Sequence, residues 1–398
     1  MSELKVLIAG AGIGGLASAL ALLKRGIDVE VYEQAAELRE VGAGMQISPN
    51  GNRALHALGI FDGLKKLSTE ADGKEIRLWN TGKTWKLFDL GDAAIKRYGF
   101  PYLTVFRPDL LQLLGDAVRQ LKPDAIHLGA RCIGVVQNAN QVTLELGDGE
   151  KVTGDALIGA DGVHSKIRAA LFGADQPQFS GMVAWRTLVP MALLPSYMAR
   201  NVATNWIGPG GHVVHYPLNG GTVMNFVGTL EGNAWTAPPW KSPATVEECT
   251  AAFQGWHADV HAMISKAPSI LRWALCGRNF LDHWTQGRAT LLGDACHPTL
   301  PFLAQGAVFT IEDAVVLGRC FTTYRDDIPT ALAKYEDARL ERAYRMMRGA
   351  ADNTSRFHHP ALASPEQADE FVARQWQQSA IGERYDFLFS YDAMSAAI

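Results

Sequence analysis

Apolar and polar positions follow two rhythms along this chain, and the places where one gives way to the other divide it. Lys5–Ala9 is a short, almost wholly apolar run, which predicts a buried strand. Gly14–Arg25 carries apolar residues at helical spacing, and Asp28–Glu33 alternates weakly and ends in an acid. Together these predict a βαβ opening. Pro49 to Leu55 then signals a turn into a further helix. Short strands are expected at Glu75–Trp79 and Trp85–Leu90, a helix at Pro108–Gln120, and strands at Ala125–Val136, Gln141–Leu146 and Asp155–Gly159.

Near residue 180 the texture changes. Residues 180–285 hold seven of the ten Trp, with Gly-Gly and Pro-rich turns between the strands Ala203–Ile207, His212–Pro217 and Thr222–Thr229. That composition predicts a β-sheet unit whose aromatic faces can cover a planar ligand. The first rhythm returns at 286, with the strand Ala289–Leu292 and the helix Gly306–Phe321. Helices follow from 329, as at Ala331–Gly349, and then a tail through Tyr385–Ser390. The expected organisation is α/β and interleaved. Residues 1–73, 101–179 and 286–328 form a Rossmann-type unit, 74–100 and 180–285 a second unit inserted into it, and 329–398 a helical end.

Composition narrows the class. The chain has 398 residues, 47% hydrophobic and 20% charged, with a formal net charge of −4, so neither nucleic acid nor an anionic membrane is an expected partner. Its five cysteines lack CxxC spacing, which argues against disulfides and a metal site. Residues 1–9 enter a strand without a basic leader, and the longest apolar run, Leu16–Leu23, is too short for a bilayer. A cytoplasmic protein is expected.

The sharpest signal is Gly10-Ala11-Gly12-Ile13-Gly14-Gly15, between a strand and a helix. Gly10 permits a tight turn, Gly12 admits the backbone to a pyrophosphate, and Gly15 lets helix and strand pack closely. The helix start then faces the phosphates with free N–H groups. Glu33 ends the next strand, where a carboxylate accepts ribose hydroxyls and repels a 2′-phosphate. At the far end, Gly293-Asp294-Ala295-Cys296-His297-Pro298 sits between a buried strand and a helix. Two grips so far apart call for a long cofactor, and FAD fits. Gly159-Ala160-Asp161-Gly162, Arg107 before Pro108, and Arg39 just after Glu33 are further candidates to hold it.

Taken together, these motifs, with Gly42 to Asn50 and Pro298 to Asp313, resemble the single-component flavoprotein aromatic hydroxylases (class A flavin monooxygenases) over nearly the whole chain. The similar branch includes 3-hydroxybenzoate 6-hydroxylase, 6-hydroxynicotinate 3-monooxygenase and salicylate hydroxylases. The resemblance implies a glutathione-reductase-like FAD-binding domain and non-covalent FAD. It places Asp294 on the ribityl chain, Arg107 near the pyrophosphate, and Asp161 serving FAD and passing NAD(P)H. NAD(P)H is implied as a transient co-substrate, NADH preferred, and a homodimer is expected from the family alone. The implied reaction uses NAD(P)H and O2 to hydroxylate a phenolic or hydroxypyridine carboxylic acid through a flavin C4a-hydroperoxide.

That chemistry makes two demands. A reduced flavin anion needs positive potential, which the helix start at Gly306-Ala307 can supply through its N–H groups. The ring needs a base, because a phenolate is the better nucleophile. In Gly211-His212-Val213-Val214-His215-Tyr216-Pro217, alternation puts His212, Val214 and Tyr216 on one strand face and His215 on the other. His212 and Tyr216 match a His and Tyr pair of the family, which implies a base and a substrate-positioning donor. His297 is read as structural.

Arg186 is the candidate partner for a substrate carboxylate, its alternative being a salt bridge between the units. Gln46 and Pro301 also fall at substrate positions. They differ from the His and Gln of the hydroxynicotinate and hydroxybenzoate enzymes, so no substrate transfers by analogy. The competing readings are a flavin oxidase or dehydrogenase, which would return all its oxygen as peroxide, and a flavin-binding sensor without turnover.

Overall fold

The computed structural model describes residues 4–38, 43–232, 235 and 240–398. Its first layer is a six-stranded sheet in the order Thr285–Gln286, Ala289–Leu291, Ala156–Gly159, Lys5–Ala9, Asp28–Glu33, Ile126–Leu128. All pairs are parallel except the terminal hairpin. Strands far apart in the sequence therefore lie side by side, as parallel sheets with long crossovers require. Helix Ile13–Leu23 packs on this sheet beside helix Gly306–Thr323, and Val6, Leu7, Ile8, Leu16, Val29 and Val315 are buried among them.

The second layer is an eight-stranded sheet. It draws Gly73–Leu78 and Thr84–Asp89 from early in the chain, and Gln178–Pro190, Val202–Gly208, Gly211–Leu218, Val223–Glu231, Lys241–Ala244 and Ile270–Gly277 from later. Its outer face sets Trp185, Trp206 and Phe226 against helices Val246–Ala252 and Ala258–Ser265. Each such fully buried side chain contributes roughly 2–3 kcal/mol. Its inner face turns Ile76, Leu78 and Ile207 towards Phe302, Phe309, Met346 and Phe357.

Helix Ile328–Phe357 links the layers. Its 30 residues reach about 45 Å. It passes behind helix Gly306–Thr323 and ends with His358 at the inner face.

One expectation changes. Ala125–Val136 is not one strand but two, Ile126–Leu128 and Cys132–Gln137, in different sheets. Gly129 between them takes φ +72°, a left-handed turn that an extended chain cannot contain. Near the end of the chain, Tyr385 and Phe389 lie in helix Gln378–Phe389 and pack on Phe88. No described helix is long and apolar enough to cross a membrane.

Candidate active site

The glycine-rich turn closes tightly on itself. Gly10 has φ +98°, and a Cβ on Gly15 would sit 1.8 Å from the Gly10 carbonyl oxygen, so no larger residue fits. A Cβ on Gly14 would meet Thr310 and Leu292, which places the first helix against the far end of the chain. A Cβ on Gly12 would meet nothing within 4 Å. The backbone there is open, as a pyrophosphate site needs. Glu33 accepts from the Ala11 N–H at 2.8 Å and the Ala35 N–H at 2.9 Å, which orients its carboxylate. Each oxygen keeps a second acceptor position for a ribose.

Asp294 is set deep in the protein yet exposed along one side, the signature of a cleft wall. Burial raises its pKa, against the pull of His297 and Arg107, and no described residue hydrogen-bonds its carboxylate. An oriented, unpartnered acid suits polyol hydroxyls. Arg107 opens helix Arg107–Leu121 nearby.

Gly306 and Ala307 form a partly exposed helix start without a side-chain cap, leaving first-turn N–H groups available to an anion. The Asp161 carboxylate accepts from Ser165 Oγ at 2.6 Å and from the N–H groups of Lys166 and Ile167, so it caps the following helix and fixes the loop before it. Arg39 lies outside the described residues. The residues from Glu33 through Gly12 and Asp294 to Gly306 thus suit a long dinucleotide.

The substrate side is written in the sheet register. Cross-strand partners share a face, and Ile76, Asn205, Val214, Val227 and Arg186 form one row. Leu78, Ile207, His212, Thr229 and Ala184 form another row on the same face, and Tyr216 pairs with Asn225 beside them. His212 and Arg186 therefore look inward together with Tyr216. His215 faces outward towards Trp206 and the Glu75–Arg77 pair, where burial lowers its pKa to about 4.

Gln46 sits over the inner face as a hub. Its Oε1 accepts from Tyr102 Oη at 2.9 Å and lies 3.5 Å from Lys74 Nζ, while its amide bonds the Tyr216 hydroxyl. Burial raises the pKa of Tyr216, so it stays a phenol. Arg186 pairs with no described carboxylate; its guanidinium lies over the Trp273 ring at 4.9 Å. The salt bridge considered for it is absent among the described residues. Pro301 is exposed at the start of the turn Pro301–Leu303, beside Phe302, whose ring meets His212 edge-on.

Sequence reasoning missed Lys74. It is 7% exposed, has no carboxylate partner among the described residues, and burial lowers its pKa to about 8. The signal was present, since Lys74 shares the inward phase of Ile76 and Leu78. His358 was also missed; its Nε2 lies 2.6 Å from His212 Nδ1. Buried polar atoms on this face, Asn205 Oδ1, Asn225 Nδ2 and Thr229 Oγ1, lack partners among the described residues.

His297 is not aimed at this face. Its Nε2 bonds Asp313 Oδ2 at 2.6 Å inside a buried ionic cluster.

Comparison with known proteins shows the family. The FAD binding domain family matches residues 3–350. The 3-amino-4-hydroxybenzoate 2-monooxygenase of Streptomyces platensis is 37% identical over 356 residues, 89% of each chain. The 6-hydroxynicotinate 3-monooxygenase of Bordetella bronchiseptica is 36% identical, covering 88% of this chain and 91% of that one. A salicylate hydroxylase substrate complex superposes with a TM-score of 0.82 at 26% identity, over 98% of this chain and 96% of the other. The chain belongs to this family and is a FAD-dependent monooxygenase.

Proposed function

We propose that this enzyme hydroxylates a phenolic or hydroxypyridine carboxylic acid, with NADH as the preferred reductant. The observation that carries the substrate class is the pair of inward cations, Lys74 and Arg186. They share the face of His212 and Tyr216, and no described carboxylate neutralises either. A buried unpaired charge costs several kcal/mol, so an acid group on the ligand is the partner that relieves it.

FAD, held by Gly12, Glu33, Asp294 and the helix start at Gly306, would supply the redox and oxygen chemistry. The chain's own residues do the rest. Lys74 and Arg186 hold the carboxylate end of the ring. Tyr216, oriented by Gln46, donates to a polar ring substituent. His212 Nε2, which no described residue hydrogen-bonds, accepts the ring hydroxyl proton. The rings of Phe302 and Phe357 beside it exclude water.

The test is a panel of 3-amino-4-hydroxybenzoate, 3-hydroxybenzoate, salicylate and 6-hydroxynicotinate, each beside its amide. NADH oxidation and product mass are followed. Acids are expected to stimulate NADH oxidation and gain one oxygen atom, with the carboxylate either kept or lost as CO2, and amides to do neither. Amides that work as well as acids would remove the two-cation argument. His212→Ala is expected to keep FAD and NADH-driven reduction but lose roughly 100-fold or more in product formation.

A further inference from the structure

We propose that His358 and Glu231 form a proton relay that carries the ring hydroxyl proton from His212 to the protein surface. The inference rests on His212 as the base.

Three elements meet to build it. His212 lies on strand Gly211–Leu218, His358 caps the end of helix Ile328–Phe357, and Glu231 ends strand Val223–Glu231. His212 Nδ1 and His358 Nε2 are 2.6 Å apart, and His358 Nδ1 lies 2.5 Å from Glu231 Oε1. The two imidazoles are buried, whereas the Glu231 side chain is 45% exposed. It opens onto a surface depression bounded by Trp79, Gln254 and Trp256. The chain thus runs without a gap from a dry site to water.

The carboxylate sets the direction of every bond. Glu231 is an acceptor, so His358 Nδ1 carries hydrogen and donates to it. A neutral His358 then presents Nε2 as an acceptor, and His212 Nδ1 donates to that. His212 Nε2 is left with a lone pair towards the site. Transfer proceeds in three matched moves. The ring hydroxyl proton passes to His212 Nε2, as the His212 Nδ1 proton moves to His358 Nε2. The His358 Nδ1 proton then moves to Glu231, which releases it to water. No group changes its net charge except the substrate, which becomes a phenolate, and the solvent, which gains the proton.

Burial gives the relay its purpose. Desolvation, and then the neighbouring His358, hold the pKa of His212 well below its usual value. A proton cannot rest there, so a base at this position needs an outlet. Among the described residues, His358 is the titratable group facing His212, whose ring also lies beside those of Phe302 and Phe357, and Glu231 is the one facing His358.

Two measurements on the FAD-loaded full chain test this. The first needs no ligand. Nitrogen NMR of histidine-labelled protein, assigned through His212→Asn and His358→Gln, should find hydrogen on Nδ1 of both residues, the minor form in water. Hydrogen on Nε2 of His212 would overturn the relay. The second uses Glu231→Gln, a surface change that can still accept from His358 but cannot take its proton. With whichever acid of the panel above is hydroxylated, product formation should fall roughly 10- to 100-fold near neutral pH. FAD binding, KM and NADH-driven reduction should stay unchanged. The deficit should fade as pH approaches ~10, where the phenol ionises unaided, and Glu231→Asp should restore most of the rate. An unchanged rate and pH profile in both the Glu231 and His358 variants, with His212→Asn inactive, would remove the relay and keep the base. An equal loss at every pH would assign Glu231 a structural role and overturn the proposal. An active His212→Asn would remove both assignments.

Discussion

Two clusters of buried charge lie on either side of helix Gly306–Thr323, and they are built on opposite principles. Behind the helix, Glu312 and Asp313 are fully buried and meet Arg339 at 2.8 and 2.7 Å. Arg342 reaches Glu312 at 2.9 Å, His297 reaches Asp313 at 2.6 Å, and the Asn50 amide donates to Glu312 at 2.7 Å. Every charge there has its partner within the chain. On the sheet face, Lys74 has an amide oxygen and the Tyr102 ring, Arg186 has the Trp273 ring, and neither has a carboxylate among the described residues. Desolvation acts on both clusters alike. What differs is where the compensating charge comes from, and this separates a scaffold from a receptor. A neutralised interior holds its shape without ligand, whereas an uncompensated one is poised to take an anion.

The strongest way to break this comparison is to unpair the scaffold. Asp313→Asn strands His297 and leaves Arg339 to share Glu312 with Arg342, and a loss of about 3–5 kcal/mol is expected in urea unfolding. A loss below about 1 kcal/mol would show the network to be no better compensated than the receptor. The pH dependence follows the same pairs. Burial opposes the charge on His297, but Asp313 holds it and raises its pKa well above the usual value, while Cys296 alongside is kept a neutral thiol by burial. Its contribution is complete below ~6.5 and is lost as pH rises through the raised value. For Asp313, burial is outweighed by His297 and Arg339, so its pKa is lowered. Its contribution is complete above ~3.9 and is lost as pH falls through the lowered value. The network is therefore intact throughout the neutral range.

Lys74→Met sharpens the contrast from the other side. Burial lowers the lysine pKa to about 8, so its contribution is complete only above ~10.5 and is lost as pH falls through about 8. Below pH 8 the buried ammonium is a cost, and the methionine variant should be more stable by roughly 1–3 kcal/mol. Its kcat/KM for an aromatic acid should fall about 10- to 100-fold, since a lost charged hydrogen bond is worth ~1.5–3 kcal/mol. Thermal unfolding and steady-state assays read the two effects. A variant both less stable and fully active would assign Lys74 to the scaffold.

The smallest effect is expected at His215, on the outer side of the same strand. His215→Gln should leave turnover within about twofold. Burial first, and Arg77 next, hold the pKa of His215 down at about 4. The stability this residue confers is complete above ~6.5 and declines as pH drops towards about 4. The variant should therefore flatten that acid limb of the unfolding profile. A large loss of turnover would mean that the two faces of the strand are not chemically separate.

Much of the molecule was legible in local pattern. The strand Lys5–Ala9 falls where a continuous apolar run puts it, as a parallel strand buried on both faces needs, and Asp28–Glu33 falls where weak alternation puts it. Gly10, Gly12 and Gly15 could be read because a phosphate turn restricts the backbone itself. The shared face of His212 and Tyr216, opposite His215, follows from alternation alone. Break points were harder. Gly129 splits one apolar stretch into strands of two sheets, and nothing local says that the chain changes partner there.

Tertiary structure decided the partners. Lys74 meets Gln46 only because a strand from early in the chain is inserted beside Val202–Gly208. His358 reaches His212 across 146 positions only because a 30-residue helix spans both layers. Asp161 turns to a helix cap, and His297 to an ion pair, because the nearest donors lie there once the chain is packed. Local sequence determines which way a side chain points, since backbone geometry is a short-range property. Whether a buried charge finds its counter-charge depends on how separate elements of the chain pack together. That distinction separates the neutral scaffold behind Gly306–Thr323 from the charged face that awaits a substrate.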